Sequence, residues 1–539
     1  MIFTIDLFGG GDKPQWSVLK HNGPMFPPIY IPHKTEILVK GQLTILNPLA
    51  EEYGTMYSKY LDSEYIKSSN FKKNFWKDFK DSVKYLNVNS LDDFDFTNYK
   101  KYLDKIKEQK ALISKEEKET IKENQLEEEE PYRYCIIDGV QQKIGNFKIE
   151  PPGIFLGRGT HPKLGRIKKR TNPEDVVLNL DKEAKIPEPN VPGKWGGVIH
   201  ERSVIWLATW KEEITGKNKY VFTSLDSFFK SKSDEEKFDL ARSLKKKANA
   251  IREQYEKELD DSDLKKRQLA TALYFIDNLA LRVGGKKDTK DEADTVGVTS
   301  LRVEHITLSD NNTIKLDFLG KDSVRFFKKV TVLEKVYKNL VEFSKDKSKK
   351  DDLFERITSS NMNEYLDSFL KGLTAKVWRT YNASHTFQKE IDKIKEDKIK
   401  DINENERLNF LISMFNQANT AVALLCNHQK NVSKGINESL DKIDDRIKEL
   451  KKNKNKYEEK GDKEKINKVE IKIKLLKLKK ETKQKMKNVS LSTSKNNYID
   501  PRIIFAFMKR FEIPPEKLFN QQLLDRFKWA SSVDKDYRF

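Results

Sequence analysis

Ser494-Lys495-Asn496-Asn497-Tyr498-Ile499-Asp500-Pro501-Arg502 lies near the C-terminus, shortly after a Lys-rich stretch with heptad spacing. In that stretch Ile436, Leu440, Ile443, Ile447 and Leu450 recur at intervals of three and four, and Ile466, Val469, Ile473 and Leu476 do so again. Residues 451–461 between them are rich in Lys, Asn and Glu and carry no apolar stripe. Two amphipathic helices folded back on each other are the economical reading of residues 431–487. This order decides the fold. The two ends of an antiparallel pair lie side by side, so the pair returns Tyr498 to the chain that entered it, where His428 stands.

Tyrosine is a poor nucleophile at its free pKa of about 10 unless nearby cations lower that pKa or stabilise what it attacks. A reactive Tyr498 therefore predicts Arg, Lys and His clustered upstream. Leu408, Leu411, Phe415, Ala418, Val422 and Leu425 step by three and four, as one face of a helix does. His428 follows by three more, which puts it on the buried face of that helix. Leu269, Leu273, Ile276 and Ala280 share a face of an earlier helix, with Gly284-Gly285 as its natural stop after Arg282. Alternating residues predict a small sheet across 300–308, 314–318 and 324–330, with Asp310-Asn311-Asn312 as a turn. Residues 16–229 are punctuated by Pro and aromatics and read as a mixed α/β lobe. Within it, 204–210 and 220–222 read as strands and 54–125 as helical, very charged near 115–130.

The 539 residues suffice for several domains, and at 37% hydrophobic they support large cores. Lys and Arg number 103 against 84 Asp and Glu, a net charge of +19 that favours a polyanionic partner such as nucleic acid or an acidic membrane surface. Residues 431–487 hold 20 basic and 11 acidic residues, so they supply +9 of it. A solubilising bias and a charged spacer are the bland readings of these two facts. The two cysteines, Cys135 and Cys426, cannot build a disulfide framework and fit a reducing compartment. No run of 18 apolar residues exists to span a membrane. Residues 1–11 lack a secretory signal and match nothing downstream in character.

Several common chemistries lack their signatures. There is no G-x-x-x-x-G-K-[ST], no H-E-x-x-H and no C-x-x-C. Asp93-Phe94-Asp95 reads as a surface feature rather than a Mg²⁺ site, so no metal ligands and no cofactor are expected. What remains is a cationic set, and each member alone has an ordinary explanation. Arg282 at a helix C-terminus suits the dipole. Lys321 in Gly320-Lys321-Asp322 suits a solvated turn, and Arg379 suits an amphipathic helix. His428 suits a satisfied core position. Together they define one reaction. A tyrosine attacking a phosphodiester builds charge on the non-bridging oxygens, which two guanidiniums and a histidine stabilise. A lysine protonates the departing sugar oxygen. Fixed cations do the neutralising without a metal, and the phosphotyrosyl ester conserves the bond energy, so resealing needs no ATP.

Seven blocks then carry a resemblance: 279–284 (LALRVG), 293–297 (ADTVG), 300–305 (SLRVEH), 317–323 (DFLGKDS), 373–377 (LTAKV), 425–429 (LCNHQ) and the segment around Tyr498. With 146–153 (NFKIEPPG) and 157–159 (GRG), they resemble the eukaryotic type IB DNA topoisomerases, in order and over nearly the whole chain from about Trp16 to Phe539. The resemblance implies an α+β multidomain fold, a bilobed clamp around duplex DNA. A mixed α/β cap lobe would span 12–228, and a mainly helical, tyrosine-recombinase-like catalytic lobe 229–430. An antiparallel coiled-coil hairpin would span 431–487, and a small helical C-terminal domain 488–539. It implies that Tyr498 is the nucleophile of a 3′-phosphotyrosine, that Arg282, Arg379 and His428 stabilise the transition state, and that Lys321 is the general acid and also touches a minor-groove base. Arg158, Asn497 and Asp322 match positions where camptothecin-type inhibitors stack in nicked DNA.

The implied protein is a monomer that relaxes supercoils of either sign in the nucleus. Leu156 stands where the family often has an arginine, which removes one cation beside the DNA. The long charged N-terminal extension that usually carries nuclear targeting is not part of these 539 residues. A tyrosine recombinase is the nearest rival reading, and a non-catalytic DNA clamp is the rival from another class.

Overall fold

Phe94, Asp95 and Phe96 alternate between core and solvent, and this breaks what reads locally as one long helical region. The computed structural model describes residues 14–394, 402, 404–429 and 435–539. Residues 1–11, and the first residues of the 431–487 segment, lie outside them. The chain divides into two units, 1–230 with 287–294 and 231–286 with 295–539.

The first unit is mixed α/β. In order it contains β1 (Leu19–His21), β2 (Ile37–Val39), β3 (Gln42–Thr44), α1 (Pro48–Ser58), α2 (Ser69–Phe79), β4 (Phe94–Asp95), α3 (Thr97–Leu112) and α4 (Lys115–Glu129). There follow β5 (Tyr134–Ile137), β6 (Val140–Lys143), β7 (Gly153–Ile154), β8 (Ile167–Lys168), β9 (Val176–Asn179), β10 (Gly197–Ile199), β11 (Ala208–Lys211) and β12 (Asn218–Val221). The strands pair in the orders β1-β5-β6, β3-β2-β4, β7-β8 and β10-β9-β11-β12, in which β10 runs parallel to β9. Phe71, Phe75 and Phe79, one helical turn apart on α2, fill one core with Tyr57, Phe94, Phe96 and Tyr99. Trp16, Leu178, Leu207 and Trp210 belong to a second core under the four-stranded sheet. The ladder expected over 204–210 starts only at Ala208, and Val204 and Trp206 bury their side chains outside it. Asp93 and Asp95 spend their carboxylates on local backbone N–H groups, at Asn89, Ser90 and Thr97. This is the surface role read for them.

The second unit is mainly helical, with α5 (Phe228–Glu258) entering it and then α6 (Leu264–Leu279). A three-stranded antiparallel sheet follows, β13 (Ile306–Ser309), β14 (Thr313–Leu319) and β15 (Arg325–Thr331). It is the sheet read from alternation, its first strand shortened because 298–305 form tight turns. Next come α7 (Glu334–Ser344), α8 (Ser359–Phe369), α9 (Ala375–Ile391), α10 (Glu404–Leu425), α11 (Ile436–Glu459), α12 (Lys463–Lys485), α13 (Leu491–Asn497), α14 (Pro501–Arg510) and α15 (Gln521–Arg526). One core runs from Phe238 and Leu244 of α5 through α6, α9 and α10 to Tyr498 and the C-terminal helices.

Helices α11 and α12 pack along their length. Ile443, Ile447, Leu450, Val469 and Ile473 form the seam, and ion pairs Lys480–Asp444 (2.6 Å) and Lys454–Glu470 (2.7 Å) flank it. Pairs 36 and 16 residues apart in one hairpin require an antiparallel arrangement. The interruption read at 451–461 is shorter than expected. Helix α11 continues to Glu459, Tyr457 joins the seam, and Gly461 (φ +68°) makes the turn.

Candidate active site

Tyr498 follows α13 directly, and its main chain is held twice. Its N–H donates to Ser494 O (2.9 Å), and its own carbonyl accepts from Ser384 Oγ (3.1 Å), which also accepts from Asp500 N (3.0 Å). Asp500 then caps α14, with Pro501 in its first turn. The residue is 6% exposed. A buried phenol is thereby fixed in position by residues on either side of it and by α9.

Arg379 comes from α9, which Thr374 caps by accepting from Val377 N. The residue is 3% exposed, and each guanidinium nitrogen has an acceptor: Nε donates to Ala280 O (2.8 Å), Nη2 to Cys426 O (3.2 Å) and Nη1 to Tyr498 Oη (3.0 Å). Arg282 supplies a second donor to the same oxygen from Nη1, at 3.2 Å. It does not end a helix as expected. α6 stops at Leu279, with Ala280 left-handed at φ +49°, and Arg282 lies in the extended segment beyond. Gly284 serves another purpose. At φ +77° its Cα approaches Gly297, where a Cβ would come within 2.5 Å of the opposing backbone. Bonds from Val298 N to Arg282 O (2.9 Å) and Thr299 N to Val283 O (2.8 Å) complete the crossing that holds Arg282.

His428 also lies off its expected helix. α10 ends at Leu425, Asn427 takes φ +53°, and His428 N bonds back to Ala423 O at 2.8 Å. The residue is nonetheless 5% exposed, its ring centroid 5.2 Å from that of Tyr498. Its Nδ1 lies 2.7 Å from Ser494 Oγ, and Nε2 has no hydrogen-bond partner among the described residues. Lys321 and Asp322 stand at the exposed β14–β15 turn, where Asp322 (φ +66°) and Ser323 (φ +58°) are both left-handed. Two adjoining concavities share Arg282, Lys321, Arg379 and Thr493. His428 and Asp322 line one, and Tyr498 and Asn497 the other. Arg158 belongs to the first unit, on the exposed loop between β7 and β8.

Charge decides what this cleft accepts. No carboxylate pairs with either guanidinium among the described residues. Burial pushes the Tyr498 phenol up, but Arg379 and Arg282 more than reverse this, so it ionises below its ordinary 10. Burial first, then the same two arginines, holds His428 down at about 3, so the imidazole is neutral at physiological pH. Unpaired buried cations are costly unless an anion joins them. A phenol of lowered pKa beside two guanidiniums that no carboxylate among the described residues neutralises, with Lys321 on the same lining, favours an anionic ligand.

Ser494 and Ser384 carry no periodic signal, and Gly284 and Gly297 end two of the quoted blocks with nothing in the sequence to show that they meet, so sequence reasoning missed these roles. Only the closeness of Ser494 to Tyr498 hinted at the first.

Residues 14–223 match the family model described as eukaryotic DNA topoisomerase I, DNA binding fragment. Residues 226–461 match its catalytic core, and 470–539 a C-terminal topoisomerase domain. DNA topoisomerase 1 beta of Arabidopsis thaliana is 41% identical over 559 residues, covering 98% of this chain and 60% of that protein. DNA topoisomerase 1 of Caenorhabditis elegans is 42% identical over 97% of this chain and 68% of its own. That of Homo sapiens is 38% identical, over 97% and 72%. The chain thus spans 60% to 72% of the length of these relatives.

Proposed function

The chain belongs to the eukaryotic DNA topoisomerase I family, and we propose that it relaxes supercoiled duplex DNA of either sign by cutting and resealing one strand through Tyr498. The observation that carries this reading is the convergence of two guanidinium donors, free of carboxylates, on one buried tyrosine oxygen. Tyr498, its proton lost to solvent, attacks the scissile phosphorus through Oη, and the bond to the 5′ oxygen breaks as the 3′-phosphotyrosine forms. Arg282 and Arg379 transfer their N–H bonds to the non-bridging oxygens, and His428 Nε2 adds a third. Lys321 gives its proton to the departing 5′ oxygen, a far poorer leaving group than phenolate. The downstream duplex then turns under its own torsion, and the 5′ hydroxyl reverses the first step. The fixed cations supply the neutralisation and the phosphotyrosine keeps the bond energy, so the reaction proceeds without metal or ATP.

In this reading residues 12–228 and 229–430 are the two lobes of a clamp, 431–487 is a coiled-coil hairpin beside the rotating duplex, and 488–539 delivers the nucleophile. The protein acts as a nuclear monomer. Lys321, Asp322 and Asn497, and Arg158 of the first unit, are the residues this reading assigns to camptothecin-type compounds in the cleaved complex. Among the described residues no helix is long and apolar enough to cross a membrane.

A duplex whose downstream cleaved fragment, the one carrying the free 5′ hydroxyl, is short enough to dissociate traps the covalent complex. Peptide mass mapping should find the nucleotide on Tyr498, and an adduct on any other residue would overturn the assignment.

A further inference from the structure

We infer that Ser494 is a positioning residue, whose hydroxyl donates to His428 Nδ1 and thereby fixes the imidazole as the tautomer that carries its proton on Nε2. The inference rests on the transition-state role proposed for His428. The contact is short, 2.7 Å, and both partners are buried, His428 at 5% and Ser494 at 0% exposure. A neutral ring has one proton to place, and its partners decide where.

Two arrangements are open. With Nδ1–H donating to Ser494, the serine proton has no acceptor among the described residues, and Nε2 is a bare lone pair with no donor. With Ser494 donating, the serine is satisfied and the unsatisfied group is an Nε2–H. That group waits for an oxygen, and a phosphodiester in the cleft lined by His428, Arg282 and Arg379 supplies one. Only the second arrangement lets histidine stabilise negative charge. A bare Nε2 would repel the same oxygen.

Ser494 also carries the nucleophile. Its carbonyl accepts the N–H of Tyr498 (2.9 Å) and of Ile499 (3.0 Å). The strand bridge between Gln429 and Val489, with Ser490 N donating to His428 O at 2.7 Å, brings the two segments into register. The turn that presents the phenol is therefore the turn that sets the histidine. A C-terminal segment that has not seated leaves His428 without its tautomer lock as well as leaving the site without Tyr498.

The test is a double-mutant cycle on the full chain, reading single-turnover cleavage of a DNA duplex. Ser494→Ala should slow cleavage about tenfold in the wild-type background and less than about twofold when His428 is already Ala. An equal loss in both backgrounds would mean that the serine serves the fold and not the histidine. An independent readout is the long-range ¹⁵N–¹H spectrum of protein labelled at histidine. His428 should show its proton on Nε2, and Ser494→Ala should shift it toward a mixture. A wild-type His428 protonated on Nδ1 would overturn the inference. The spectrum needs no turnover. If Tyr498→Phe were to relax DNA normally, the functional reading would fall while the spectrum still decided the serine's role.

Discussion

Tyr498, Arg282 and Arg379 meet at one oxygen although 216 residues separate the first pair and 119 the second. No spacing rule in the sequence reports such a meeting. The residue types that the chemistry needs were legible, and the resemblance assigned them, but their convergence comes from the packing of α6, α9 and α13. Three predictions belong at this scale. Because Arg379 and Arg282 lower the phenol's pKa, cleavage should rise with pH and level off below pH 10. In Arg379→Ala the plateau should move upward and the rate should fall by about 10²–10³-fold; a pH profile of single-turnover cleavage reads both. Since His428 is neutral down to about pH 3, His428→Gln should slow cleavage without moving any inflection near pH 6.5. The third prediction concerns Lys321. Lys321→Ala should slow cleavage of ordinary DNA by about 100-fold or more. It should cut a substrate with sulfur in place of the departing 5′ oxygen almost normally, since thiolate leaves without a proton. An equal defect on both substrates would remove Lys321 as the acid.

At the scale of elements, periodicity located what was locally determined. The three-four stepping from Leu408 to Leu425 is α10, and alternation across 306–331 is the three-stranded sheet. The failures lie at element ends. Gly284 was read as a helix stop because glycine commonly serves there, yet its conformation is spent on the close approach to Gly297, a contact made by chain arriving later. His428 was placed on the helix face, and Asn427 turns it off instead while leaving it buried. Gly297→Ala would drive a Cβ to 2.5 Å from Gly284 Cα and 2.7 Å from Arg282 O. It should cost about 2 kcal/mol and slow cleavage more than tenfold, checked by thermal denaturation and single-turnover rates. On the hairpin, Lys474, Lys477 and Lys479 of α12 are exposed. Replacing all three by Gln should change the relaxation rate and flatten its salt dependence, with cleavage chemistry little affected. An unchanged salt slope would count against contact between this helix and DNA.

For the whole molecule, the +19 charge forecasts the partner class but says nothing of how the two units stand. Each unit carries a buried histidine held below its ordinary 6.5. Burial lowers His21 to about 4, where Nδ1 accepts from Gly23 N (3.0 Å) while Nε2 faces Asn179 O (2.9 Å). His428 sits at about 3. The folded groups bind fewer protons than the unfolded ones between those values and 6.5, so stability falls as pH drops from about 6.5 toward 4. Melting temperature against pH should show this decline, less steep in His21→Gln. The central claim is nicking, rotation and resealing through a tyrosine ester. Its most direct test is relaxation of positively and negatively supercoiled plasmid, in EDTA and without ATP, by the wild-type chain and by Tyr498→Phe. The account predicts that the wild type relaxes both signs and the variant neither. A wild type that binds DNA but leaves both plasmids supercoiled, or a variant that relaxes them equally well, would contradict it.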